Sequence, residues 1–116
     1  MRRRPVSVLE LAGYRKRADE LLTTDEQDAV VDVIAHDPTC GDLIPGGGGL
    51  RKVRVGRGNI GKRGGARVIY YFHNTDFPVV LMALYAKNEK DNLNVRDRNV
   101  LAGQLKEIMA SWQKRK

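Results

Sequence analysis

Apolar positions recur along this chain with two different periods, and the switch between them outlines the fold. Val6–Leu11 reads as a short strand, and Tyr14, Ala18, Leu21 and Leu22 then fall at helical spacing, predicting a helix over residues 12–22. Thr24-Asp25-Glu26-Gln27 reads as a capping box, with Thr24 as N-cap and Gln27 three residues on. Val30, Val33 and Ile34 give a second helix its apolar face, and Asp37-Pro38 ends it. The two form a helical hairpin.

Pro45-Gly46-Gly47-Gly48-Gly49 is a loop, and period two begins after it. Val53 and Val55 alternate with Lys52 and Arg54. Gly56–Gly65 reads as a long turn. In Ala66–Phe72, Val68, Tyr70 and Phe72 share one face while Arg67, Ile69 and Tyr71 share the other. Asn74-Thr75-Asp76 turns into Pro78–Ala86, apolar on both faces, as in a central strand. From Asp91 helical spacing returns: Asn94-Val95-Arg96-Asp97 is a start signal, and Leu101, Leu105, Ile108 and Trp112 form a stripe. The expected architecture is α+β, one domain over 1–116. It is a small, mostly antiparallel sheet with the hairpin on one face and a C-terminal helix, with basic ends at 1–5 and 113–116.

Composition adds constraints. With 116 residues there is no room for a two-domain cofactor enzyme or a (β/α)₈ barrel. The single cysteine, Cys40, excludes an internal disulfide, and two histidines make a Cys/His metal site improbable, so neither metal nor cofactor is implied. Arg2–Arg4 precede no apolar stretch of signal-peptide length, and the longest apolar run, Pro78–Tyr85, is too short to span a bilayer. A cytoplasmic setting is the default expectation.

Charge changes the picture most. The net is +7, but residues 18–50 carry eight acids and no Lys or Arg, whereas residues 51–67 carry seven bases (Arg51, Lys52, Arg54, Arg57, Lys62, Arg63, Arg67) and no acid. Such segregation is the footprint of a polyanion binder. Strand alternation places Lys52, Arg54, Arg67 and Tyr71 on the sheet face opposite the hairpin, with Tyr85 and Lys87 of matching parity at its border. Cations there can stabilise the charge that develops when a phosphodiester is cleaved. The RNA 2′-hydroxyl can be the nucleophile, which leaves a proton acceptor and donor to be supplied from Tyr71, Tyr85, Lys87, Glu89 and Lys90. Gly56–Lys62 matches G-x-x-x-x-G-K, but Arg63 stands where Ser or Thr must bind magnesium and a strand follows, so the nucleotide-loop reading fails. His36 reads as a solvated or capping residue, His73 as a surface residue or an acid/base, Cys40 as an inert thiol and Trp112 as core.

Three segments, Gly48–Arg54 (GGLRKVR), Gly61–Phe72 (GKRGGARVIYYF) and Leu84–Leu93 (LYAKNEKDNL), together resemble the RelE/HigB superfamily of type II toxin–antitoxin toxins, in its HigB-like branch. The resemblance runs in order from about Thr24 to Leu93. It implies a ribosome-dependent endoribonuclease that cleaves translated mRNA in the decoding site without metal. It also implies a cognate antitoxin, often of helix-turn-helix type. By motif, Lys52 and Arg54 match a basic pair, Arg67 the arginine that contacts the scissile phosphate, and Lys87 a basic residue after the last strand. Asn88 stands where some RelE proteins carry a second arginine, and Asn94 roughly where they carry a catalytic tyrosine, so Tyr71, Tyr85 or Lys90 would substitute. Arg51, Arg57, Lys62 and Arg63 are the expected RNA-binding bases. The competing readings are a ParE-like gyrase inhibitor and a non-catalytic RNA- or ribosome-binding protein. The sequence is silent on self-association.

Overall fold

A computed structural model describes residues 6–56, 65–87 and 93–114. The chain order is β1 (Val8–Glu10), α1 (Ala12–Leu21), α2 (Thr24–His36), β2 (Asp42–Leu43), β3 (Leu50–Val55), β4 (Ala66–Tyr71), β5 (Val79–Ala86) and α3 (Val95–Lys114). The five strands form one sheet in the order β1-β5-β4-β3-β2. β1 runs parallel to β5, and the other pairings are antiparallel. β5 lies between β1 and β4 and is covered on both faces, as its apolar pattern predicts, with seven of its eight residues buried.

The hairpin caps itself one residue earlier than the sequence suggests. Thr23 is the N-cap of α2: its Oγ1 accepts from the Glu26 N–H at 3.1 Å, and the Thr23 N–H donates to Glu26 Oε1 at 2.8 Å. Asp25 and Glu26 then complement the dipole of the first turn. Gln27, expected in the cap, instead donates from Nε2 to the carbonyls of Ala18 and Leu22 at the end of α1, the first of which also accepts from the Leu22 N–H. α2 stops at His36, before the restriction that Pro38 puts on Asp37.

The helical hairpin buries Tyr14, Ala18, Leu22, Val30 and Ile34 against Val68, Tyr70, Val79, Leu81 and Leu84 of the sheet. Burial raises the Tyr14 phenol above its ordinary range, and the charge of Glu10 adds to this. Tyr70 is fully buried too, but its hydroxyl is used: it accepts from the Gly41 N–H at 2.8 Å and donates to Pro38 O at 2.8 Å. Burial is also the main cause that holds this phenol's pKa up. A Cβ at Gly41 would come within 2.8 Å of the Tyr70 ring and 2.9 Å of Lys52 O, so only glycine lets the turn pass.

The opposite face has a core of its own. Leu50, Ile69, Val80, Met82 and Tyr85 lie beneath Leu105, with Leu101, Ile108 and Met109 packed alongside. The register of β4 on β5 shifts at Ile69/Tyr70, where Ile69 faces Ala83 but Tyr70 faces Leu81. Met82 is thus the extra residue, and it joins Ala83 on the α3 side. The sequence reading treats this face as lying outside the core. The stripe of α3 covers much of it instead, because Leu101, Leu105 and Ile108 need an apolar partner. α3 also continues through Gln113 and Lys114, which the sequence reading assigns to a basic end.

Candidate functional site

Cross-strand pairing builds the site. Arg54 of β3 stands opposite Arg67 of β4, and Arg67 stands opposite Tyr85 of β5, so the three make one row across the sheet. Lys52, two residues before Arg54, shares its face and is half-buried. Lys87 lies two residues past Tyr85, is exposed, and donates its backbone N–H to Gly65 O at 3.1 Å, closing the ladder at this end. Lys52, Arg54, Arg67, Tyr85 and Lys87 therefore gather at one end of the α3-covered face.

Their environments differ sharply. Arg54 is exposed, whereas Arg67 retains 3% of its accessible surface and Tyr85 6%. A buried guanidinium keeps its charge and needs acceptors around it. Ala66 O lies 3.5 Å from its Nη1. Two arginines directly across a strand pair repel, and an anion between them would turn that cost into affinity. The described part of the site holds the donors that a phosphate requires. Among the described residues, no three His, Cys, Asp or Glu side chains cluster as metal ligands would.

Other expected site residues lie elsewhere. Tyr71 shares the face with Arg67 but sits four residues along β4, about 13 Å away, across from Leu50 and Val80. His73 is farther still, exposed and hydrogen-bonded through Nδ1 to the Tyr71 hydroxyl at 3.2 Å. Arg51 lies on the hairpin side of β3, and its Nη1 donates to Gly41 O at 2.7 Å, holding the turn that Tyr70 also anchors. Asn94 Oδ1 accepts from the Asp97 N–H at 2.7 Å, so this residue caps α3. His36 is exposed beside Asp32, and Cys40 Sγ lies 3.7 Å from the Tyr70 hydroxyl. Arg57, Lys62, Arg63, Asn88, Glu89, Lys90 and Arg2–Arg4 lie outside the described residues.

The sequence reading missed a cleft of about 460 Å³ beside Tyr85, where Arg17 of α1 and Asp97 of α3 meet Ala83, Leu93 and Leu101. Asp97 looked spent on helix capping, and Arg17 belongs to a helix read only for its apolar face. No tertiary proximity between them is encoded in local spacing.

The sequence model for the RelE toxin of the RelE / RelB toxin-antitoxin system matches residues 41–115. The chain belongs to the RelE toxin family. The match spans β2 through α3, and thus every described residue of the cation row. The α+β fold, with a mostly antiparallel five-stranded sheet and a C-terminal helix, agrees with it. This RelE-family protein is accordingly a toxin of a toxin–antitoxin system, a class that pairs with an antitoxin and generally inhibits translation. Toxins of the family are generally endoribonucleases. Among the described residues, no helix is long and apolar enough to cross a membrane.

Proposed function

We propose that this RelE-family toxin is a metal-independent, ribosome-dependent endoribonuclease of the HigB-like branch, acting in the cytoplasm on translated mRNA in the decoding site. The observation that carries the reading is the Arg54–Arg67–Tyr85 row, with Lys52 and Lys87 at the same end. Arg54 and Arg67 contact the scissile phosphate and offset the negative charge that builds on its oxygens as the neighbouring 2′-hydroxyl attacks. Lys52 holds an adjacent phosphate. Lys87, exposed beside the row, is our candidate for proton exchange with the attacking and leaving oxygens, whereas the Tyr85 hydroxyl is buried. In this reading Arg57, Lys62 and Arg63 bind the RNA, and Lys90 is a further candidate for proton transfer. A cognate antitoxin of helix-turn-helix type neutralises the toxin, its acidic surface complementing the cations.

The acidic hairpin supports this orientation. Asp19, Glu20, Asp25, Asp28 and Asp32 are exposed on the helices behind the sheet, where RNA phosphates would be repelled. The test is to induce the protein alone and map mRNA 5′ ends with and without ribosomes, comparing wild type with Arg54→Ala and Lys87→Ala. Both positions are exposed, so the variants keep the fold. The expected result is new ends on translated messages for wild type and their loss in both variants. DNA double-strand breaks without mRNA cleavage would assign a gyrase inhibitor instead, and salt-sensitive RNA binding without new ends a non-catalytic binder.

A further inference from the structure

The far end of the same sheet face carries a feature that the cleavage chemistry does not use. Four rings run in series from the end of β4, across the turn that follows, to the last turns of α3. Tyr71 and His73 lie nearly parallel, at 11°, with centroids 6.2 Å apart. His73 meets Phe77 edge-on at 5.4 Å, and Phe77 meets Trp112 at 5.7 Å. His73 is exposed, and Tyr71, Phe77 and Trp112 are half-buried. Packing alone does not require His73 to stand exposed, and Tyr71, Phe77 and Trp112 keep part of their surface open beside it.

Beside Tyr71 opens a cleft of about 510 Å³, lined by Gly47, Gly48, Leu105, Lys106, Met109 and Gln113 among others. Lys106 is the charged residue among those that line it. Gly48 has nothing within 4 Å of where a Cβ would stand, so the loop wall is open. Rings offering their faces beside a cation, with amide donors and acceptors at hand, form the usual receiver of unstacked bases in single-stranded RNA.

We propose that the Tyr71–His73–Phe77–Trp112 row, with the Lys106 cleft, is a second RNA contact that stacks one or more bases of the strand whose phosphate lies on the Arg54–Arg67 row. The inference rests on the RNA-cleaving reading above and adds a base-stacking site to it. Tyr71 stands about 13 Å along β4 from Arg67, within the reach of a short stretch of the same strand. The platform acts on any base, since every base has an aromatic face, and so it positions the strand without selecting a codon.

Trp112 is the only tryptophan of the chain, so its fluorescence reports this site alone. The experiment titrates the full-length protein with a short oligoadenylate, with an abasic ribose-phosphate oligomer of equal length, and with a polyglutamate peptide. Oligoadenylate should quench Trp112, and the other two should not. His73→Ala should weaken the quenching about tenfold, the scale of one lost ring–base contact. Lys106→Ala should weaken it less and reduce its salt dependence. Equal quenching by the abasic oligomer or by polyglutamate, or a His73→Ala protein that binds as wild type does, would overturn the proposal. The two readings fail separately. Cleavage in cells with a silent Trp112 sinks the platform alone, whereas quenching without cleavage sustains the platform and sinks the nuclease.

Discussion

Replacing Arg54 with glutamine should make this protein more stable and less toxic at once. Residues directly opposite on antiparallel strands have Cβ atoms about 4.5–5.5 Å apart, and Arg54 faces Arg67 in that way. At a charge separation of about 6 Å and an effective dielectric constant near 20, the repulsion would be about 3 kcal/mol. Arg54 is exposed, and solvent screening together with the splaying of two long side chains reduces this to about 0.5–1 kcal/mol. For a chain of this length, that corresponds to a rise in Tm of roughly 2–4 °C. The measurement is a pair of thermal melts at low and physiological salt. Wild type should gain stability as salt screens the pair, and Arg54→Gln should start higher and gain less. A melting temperature that falls on substitution, or a wild-type melt indifferent to salt, would refute the idea that Arg54 and Arg67 repel across the ladder.

Other expectations follow from the fold's anchors. Tyr70→Phe should cost about 2–4 kcal/mol, because the Gly41 N–H and the Pro38 carbonyl both lose their buried partner, and denaturant unfolding measures this directly. Thr23→Ala should cost about 1 kcal/mol through loss of the capping box, with helix content preserved by circular dichroism. Burial raises the phenol pKa values of Tyr14 and Tyr70 above the ordinary 10.0. The folded state therefore holds protons that the unfolded chain releases. Stability is fully present below pH 10.0 and falls as pH rises beyond it, through the raised values. A titration of tyrosinate absorbance should show Tyr14 and Tyr70 resisting ionisation until the protein unfolds.

Much of this was legible in the chain. The period switch near Gly49, the two-faced apolar run of β5 and the parity of Lys52, Arg54, Arg67 and Tyr85 are properties of side-chain direction, which sequence carries directly. What escaped had non-local causes. The covering of the cation face depends on where α3 docks, and that is decided by Leu105 meeting Ile69 and Met82, residues far apart in the chain. Parity grouped Tyr71 with Arg67, yet parity says nothing of distance along a strand. Arg51 looked like one more base in an RNA-binding run, but its odd register sends it to the hairpin side, where it braces a backbone turn. Gln27 was drawn into the cap by spacing alone, while Thr23 and Glu26 satisfied the same pattern one residue earlier.

The shortness of β2 has a consequence for handling and engineering this toxin. β2 pairs only with Arg51 and Lys52, so among the described strands none covers the outer edge of β3 from Val53 to Val55. An uncovered strand edge invites another chain to add itself, and natural sheets discourage this with a charge at that position. Arg54 is that charge. Its exposed guanidinium is the kind of charge that discourages such pairing. A variant lacking it would keep the fold and melt later, yet pair edge to edge more readily at high concentration. A soluble inactive form is better sought at Lys87, which leaves the edge guarded.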